Sequence, residues 1–234
     1  LINKSTSLCN KTIVSIFVNK PQFNKKKDFI KYPRTLNKDI KMLKKANVDY
    51  LFVPKNRDIY PKGSSKKLLI HPLSKKLCGR FRPGHFKAVV DVIHRFIKII
   101  KPKKIFLGEK DMQQLKIIDS FLKQIKNKTK VIPCKTVRQS NGVALSSRNL
   151  LLNRHENKIA GHVYKTIVRL KKKIINNKIS IKSLENKIYK LGVKKIEYLK
   201  VIDINKLTKP FGKKKKIKIF IAYYLSSIRL IDNI

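Results

Sequence analysis

Apolar positions along the chain change period several times, and each change marks an element. Thr12 to Val18, TIVSIFV, is a β-branched run with little alternation, the pattern of a strand buried on both faces, and Asn19-Lys20-Pro21 stops it. Leu36, Ile40 and Leu43 then recur at helical spacing, Asn47 closes that helix, and Tyr50 to Pro54 supplies a second buried strand. This spacing predicts a βαβ unit. Lys55 to Lys76, rich in Lys, Gly, Ser and Pro, reads as an irregular excursion. From His85 a helix follows, with Phe86, Val89, Val90, Ile93, Phe96, Ile97 and Ile100 on one wide stripe. IFLG is the next strand. Met112 to Ile125 carries Leu115, Ile118, Leu122 and Ile125 on one helical face, and Val131 to Cys134 adds another strand.

Strands alternating with helices predict an α/β fold, a Rossmann-like parallel sheet with helices on both sides. Past Thr136 the pattern differs. A polar loop, RQSNGVALSSRN, leads into a helix from Arg154 to Ile175 with Ile159, Val163, Ile167, Leu170 and Ile174 on one side. A second short helix comes next, and IEYLKVID and KIKIFIAYYLSSIRLID read as strands joined through KPFGKKKK. The expected organisation is a first domain over residues 1–135 and a smaller α+β carboxy-terminal domain over 136–234.

Charge changes the picture of partners. The 234 residues hold 58 Lys+Arg against 13 Asp+Glu, a formal net charge of +45. Such a balance raises a basic RNA-binding protein as an alternative function. The excess is nearly all lysine and runs from end to end, whereas nucleic-acid readers concentrate Arg and aromatic residues on one surface, so specific nucleic acid is not the expected partner. Cys9, Cys78 and Cys134 are few, odd in number and far apart, and they read as reduced thiols in a cytoplasmic compartment. No apolar run nears the roughly 20 residues of a membrane span. His71, His94, His155 and His162 show no metal-ligand spacing, and no metal site is expected.

In parallel sheets ligands sit beyond the carboxyl ends of strands, so the loops after SIFV, IFLG and VIPC are the candidate site. The first carries Asn19 and Gln22, the second Gly108, Glu109, Lys110 and Asp111, the third Val137 to Arg148. Gly108 suits a tight turn, Lys110 a phosphate, and Asp111 ribose hydroxyls, with the positive end of the helix from Met112 beside them. Glu109-Lys110-Asp111 reads equally as an acidic helix start that neutralises its own dipole. Ser146 and Ser147 are good caps before Leu150, and followed by Arg148 they also make a phosphate cradle.

Taken in order, SIFVNKPQF, DFIKYPRTLNKDI, VDYLFVP, IYPKG, RPGHFKAVV, FLGEKDMQQL, GVALSSRN and RLIDN resemble the pantoate–β-alanine ligase family of the HIGH-type nucleotidyltransferases. The resemblance implies a Rossmann-like domain with a carboxy-terminal lid, a cytoplasmic homodimer, and ATP with Mg²⁺ used to adenylate pantoate before β-alanine attacks to give pantothenate. It implies that Asn19, Gln22 and Gln114 hold pantoate, with Gln22 bordering β-alanine, and that Gly108, Glu109, Lys110 and Asp111 bind ATP. Val137 and Leu145 are to meet adenine through backbone, while Lys110, Ser146, Ser147 and Arg148 grip the phosphates during the chemistry. His85 lies in a motif that lines the same pocket. The family's histidine motif has no counterpart here. It would fall just before Leu1; the expectation is that the natural chain extends upstream, with a catalytically impaired protein retaining this fold as the alternative. Pro21, Ala88 and Met112 depart from the family pattern. The run Lys213 to Lys216 is expected to be an exposed turn, since four adjacent ammonium groups resist burial.

Overall fold

Two short parallel ladders organise the first half of the chain: β1 (Ile13–Ser15) pairs with β2 (Tyr50–Phe52), and β3 (Lys104–Gly108) pairs with β4 (Lys130–Cys134). The computed structural model describes residues 1–64, 68–204 and 216–234, which divide into two units, Leu1–Cys134 and Lys135–Ile234. In the first unit the helices are α1 (Ile2–Leu8), α2 (Lys26–Lys31), α3 (Leu36–Lys45), α4 (Asn56–Ile59), α5 (Cys78–Phe81), α6 (His85–Ile100) and α7 (Met112–Gln124). Asn47 takes a left-handed φ of 51° just past α3, which is why the helix stops there. Helix α6 starts at His85 behind Gly84, whose φ of 77° favours glycine. Its stripe is buried through Phe86, Val89, Val90 and Ile97, and α7 buries Leu115, Ile118, Phe121 and Leu122. Each fully buried side chain of this size stabilises by about 1.5–3 kcal/mol.

Two readings of the sequence need correction. The runs at Thr12 and Tyr50 form ladders of only three residues each, and Ile13, Tyr50 and Leu51 are exposed rather than buried on both faces. β-Branched and aromatic runs report fit to a pleated surface; what covers that surface is decided elsewhere. The stretch from Lys55 to Lys76 is not wholly irregular either. It holds α4 and a 3-10 turn, Pro72–Lys75, and it buries Ile59, Tyr60 and Leu73.

The second unit is an antiparallel sheet, β5 (Lys195–Asp203), β6 (Ile217–Leu225) and β7 (Ile228–Asn233) in that order, with α8 (Arg154–Ile175) and α9 (Ile181–Lys190) packed on it. Helix α8 opens with a capping box: Asn153 Oδ1 accepts from the Glu156 amide at 2.8 Å, and Glu156 accepts from the Asn153 amide at 2.9 Å. The Ser226 hydroxyl donates to the other Glu156 oxygen at 2.6 Å, joining the β6–β7 turn to the helix start. Ile167, Leu184, Ile188, Ile219, Ile221 and Leu225 form the fully buried centre. The lysine run falls at Lys213, Lys214 and Lys215 outside the described residues, while Lys216 is exposed.

Candidate functional site

Three groups of sequence-predicted residues can be followed in the structure. In the first, the loop after β1 turns through a 3-10 segment, Lys20–Gln22, that packs on α6. Asn19 is buried at 2% exposure, so its amide needs partners on every side. Tyr60 Oη donates to Asn19 Oδ1 at 2.8 Å, and Asn19 Nδ2 donates to Gln22 Oε1 and to the Ala88 carbonyl, each at 3.3 Å. His85 Nδ1 donates to the Gln22 carbonyl at 2.8 Å; Arg82 donates to that same carbonyl at 3.1 Å and to His85 Nε2 at 3.1 Å. These partners fix the ring as the Nδ1–H tautomer. Gln22 is therefore held by its carbonyl and its Oε1, and its Nε2 donor is unengaged among the described residues. His85 joins this group as an anchor of Gln22.

Tyr60 and Arg82 belong to the group and were not singled out from sequence, although both lie within motifs quoted above, IYPKG and RPGHF. Arg95 stacks over the Tyr60 ring at 4.6 Å and is paired with buried Asp91 at 2.8 Å. Burial pushes the Tyr60 hydroxyl up to about 12, with the Asp91 carboxylate adding to the shift while Arg95 opposes it.

The second group follows β3. Gly108 has φ −72° and ψ 132°, ordinary extended backbone, so it does not make the tight turn expected of it. A Cβ there would meet nothing within 4 Å, and the residue instead leaves open space at the strand's end. Glu109, Lys110 and Asp111 form a single 3-10 turn that leads into α7. The Lys110 side chain is only 18% exposed and reaches Asp111 at 3.5 Å. The Asp111 side chain makes no capping bond to α7, which weakens its reading as a helix-start residue. Gln114 is half-buried, and its side chain makes no hydrogen bond among the described residues. Its neighbour Gln113, passed over in the sequence, is 5% exposed and donates to the Leu73 and Lys76 carbonyls at 2.9 and 2.7 Å while accepting from the Cys78 amide.

The third group lies in the second unit. The Leu145 amide donates to the Val137 carbonyl at 2.9 Å, closing a loop on which both side chains are more than half exposed. Ser146 Oγ accepts from the Arg148 amide at 3.3 Å and caps a 3-10 turn, Ser147–Leu151. At the two ends of this loop, Thr136 Oγ1 and Asn149 Oδ1 are buried polar atoms without a partner among the described residues. Asn19, Gln22 and His85 are thus brought together, as are residues 108–114, and Val137 with Leu145 to Arg148. Among the described residues no three His, Cys, Asp or Glu side chains gather in a metal-binding arrangement, and no helix is long and apolar enough to cross a membrane.

Comparison with known proteins matches this chain to one family throughout. A family model described as Pantoate-beta-alanine ligase matches residues 1–234. A pantothenate synthetase from Ruthia magnifica subsp. Calyptogena magnifica is 40% identical over 237 residues, covering 100% of this chain and 84% of the relative. The crystal structure of pantothenate synthetase from Thermus thermophilus superposes with a TM-score of 0.90 at 28% identity, over 100% of this chain and 86% of that one. Pantoate-beta-alanine ligase from Francisella tularensis, solved with a β,γ-ATP ligand and β-alanine, gives a TM-score of 0.84 at 37% identity, covering 100% of this chain and 82% of that one. The chain belongs to the pantoate–β-alanine ligase family.

Proposed function

We propose that the protein is an ATP-dependent ligase that condenses pantoate with β-alanine through a pantoyl adenylate, releasing pyrophosphate and AMP. The observation that carries the reading is Gln22. Its backbone and one side-chain oxygen are fixed by Arg82, His85 and Asn19, which leaves a positioned amide donor for a hydroxyl or carboxylate oxygen. Gln114 offers a second unengaged amide. Holding a carboxylate still against an activated phosphate is a large part of such catalysis, because a well-oriented pair of reactants reacts as one molecule.

Lys110 supplies a point charge for the triphosphate, Asp111 accepts from ribose, and the open space beside Gly108 admits the nucleotide to the backbone. Val137 and Leu145 meet adenine through their backbone, with Ser146, Ser147 and Arg148 as phosphate donors. The unpartnered Thr136 and Asn149 atoms fit a ligand whose polar groups complete the loop. In this reading residues 1–135 bind nucleotide and pantoate, and 136–234 act as the lid. Mg²⁺ usually binds through one or two carboxylates plus substrate phosphates, so it enters with ATP and needs no cluster of protein ligands. The protein works in the cytoplasm as a homodimer. The RNA-binding alternative finds no support in the comparisons.

The direct test is AMP release, measured with ATP and Mg²⁺ while pantoate and β-alanine are omitted in turn. AMP should appear only with both acids present. Formation that ignores either acid, or none with both present, overturns the proposal. Lys110→Ala should lower the rate with the fold intact.

A further inference from the structure

At the amino-terminal ends of β3 and β4, opposite the end that carries Gly108, the surface of the first unit forms a hollow of about 780 Å³ lined by twelve residues. Seven are lysines: Lys98, Lys101, Lys103 and Lys104 from the α6–β3 corner, and Lys126, Lys128 and Lys130 from the α7–β4 corner. With 58 Lys+Arg in 234 residues, composition alone would put about three basic residues among twelve, and the lining holds no carboxylate. None of the seven forms an ion pair among the described residues, although Lys104 Nζ donates to the Leu8 carbonyl at 2.8 Å, and Lys104 and Lys130 are partners in the ladder. Like charges in that position repel. The ends of α6 and α7 face this corner, but each contributes only about half a negative charge against seven positive ones. Six of the seven are exposed, so water carries part of that charge, and the remaining field favours a polyvalent anion.

We propose that this hollow binds a compact polyphosphate anion, at a site separate from the nucleotide site. Four residue steps of β3 separate Lys104 from Gly108, about 13 Å. The volume lies within the range of small-molecule sites. The lining chooses among polyanions. It has no aromatic side chain on which bases could stack and no arginine fork, which argues against single-stranded nucleic acid. Lysines act as movable point charges and suit a short phosphate chain.

The probe is inorganic tripolyphosphate, titrated calorimetrically into the Lys110→Ala/Arg148→Ala variant, in which both cationic phosphate contacts proposed for the nucleotide site are removed. Neutralising three lysines of the hollow, K101Q/K103Q/K128Q, should weaken binding about tenfold, the loss of three exposed ion contacts. Removing the same charge from exposed positions of α8 and α9, K172Q/K182Q/K187Q, should change it little. Equal losses in both triples would mean that only net charge attracts the anion, and the site would be refuted. If a single-stranded RNA displaces tripolyphosphate and depends on the same three lysines, the occupant is nucleic acid and the proposal fails. A second measurement needs no variant: tripolyphosphate should protect Lys101, Lys103 and Lys128 from amine acetylation in mass spectrometry while leaving Lys172 and Lys182 reactive. Uniform reactivity would also refute the site.

Discussion

Arg138 and Asp232 meet in a two-pronged ion pair, with guanidinium-to-carboxylate distances of 2.6 and 3.0 Å. The same Arg138 donates to the Gly142 carbonyl at 3.0 Å and lies 4.4 Å above the Tyr164 ring. One side chain therefore ties the last strand, the loop that carries Val137 to Arg148, and helix α8 into one arrangement. Both partners are largely buried, at 19% and 11% side-chain exposure, so their charges have little water to fall back on.

Arg138→Leu should therefore destabilise the second unit by about 3–5 kcal/mol, because it leaves the Asp232 carboxylate enclosed without a counter-charge. The double variant Arg138→Leu/Asp232→Leu should recover much of that loss. Arg138→Lys should fall between, since an ammonium cannot reproduce two parallel bonds. Urea unfolding followed by circular dichroism separates these outcomes. A double variant no more stable than the single one would show that the pair's charges do not set the cost.

Gly142 is the weak point of the same loop. Its φ of 94° is closed to most side chains, and an added Cβ would overlap the Tyr164 ring. Gly142→Ala should cost about 1–3 kcal/mol from backbone strain plus the displacement of Tyr164 from beneath Arg138. Combining it with Tyr164→Ala should remove the overlap and leave the strain. If Gly142→Ala unfolds at the wild-type midpoint, the loop relaxes more freely than its geometry implies.

Legibility in the sequence followed the kind of force at work. Helices α3, α6, α7 and α8 were readable because periodic apolar stripes and local caps such as Asn153 with Glu156 are written in neighbouring residues. The exposure of Ile13 and Tyr50 was not, because it depends on what packs over the strands. The adjacent amides Gln113 and Gln114 make the same point within the site. Nothing local distinguishes them, yet a helix turns one inward to the Leu73 and Lys76 carbonyls and leaves the side chain of the other without a hydrogen bond among the described residues. Arg82 and Tyr60 likewise acquire their places from contacts 60 and 41 residues away.

Gln113→Leu should consequently be more damaging to stability than Gln114→Leu. It removes three hydrogen bonds at once, those to the Leu73 and Lys76 carbonyls and from the Cys78 amide, at about 0.5–1.5 kcal/mol each. Gln114→Leu should leave the unfolding midpoint nearly unchanged and raise the KM for pantoate. Reversed effects on stability would contradict the assignment of the two amides.

His85→Ala should raise the KM for pantoate through Gln22, since the carbonyl that orients the Gln22 loop loses its 2.8 Å donor. His85→Asn places an amide donor near the lost Nδ1 and should restore part of the binding. A ring that merely filled space would give equal KM values in both variants, and that equality would remove His85 from its positioning role.

Alkaline stability tests the buried tyrosine beneath this cluster. Tyr60 in the folded protein keeps its proton up to about 12, against about 10 in an unfolded chain. Folding therefore favours the protonated form, and that stabilisation is fully present below pH 10 and is lost as pH rises through 12. Burial raises Tyr223 in the same direction. The bulk behaviour of the protein hides this, because its many lysines lose charge in the same window and relieve the self-repulsion of a +45 chain. The informative quantity is the stability difference between wild type and Tyr60→Phe. Near pH 8 the variant should be less stable by about 1 kcal/mol, the worth of the hydrogen bond to Asn19. Between pH 10 and 12 the gap should close and then reverse, since phenylalanine has no proton to lose while wild type must bury a phenolate or unfold. Urea midpoints at pH 8, 10, 11 and 12 measure it. A gap that stays constant across that range would show that Tyr60 titrates like a solvent-exposed phenol.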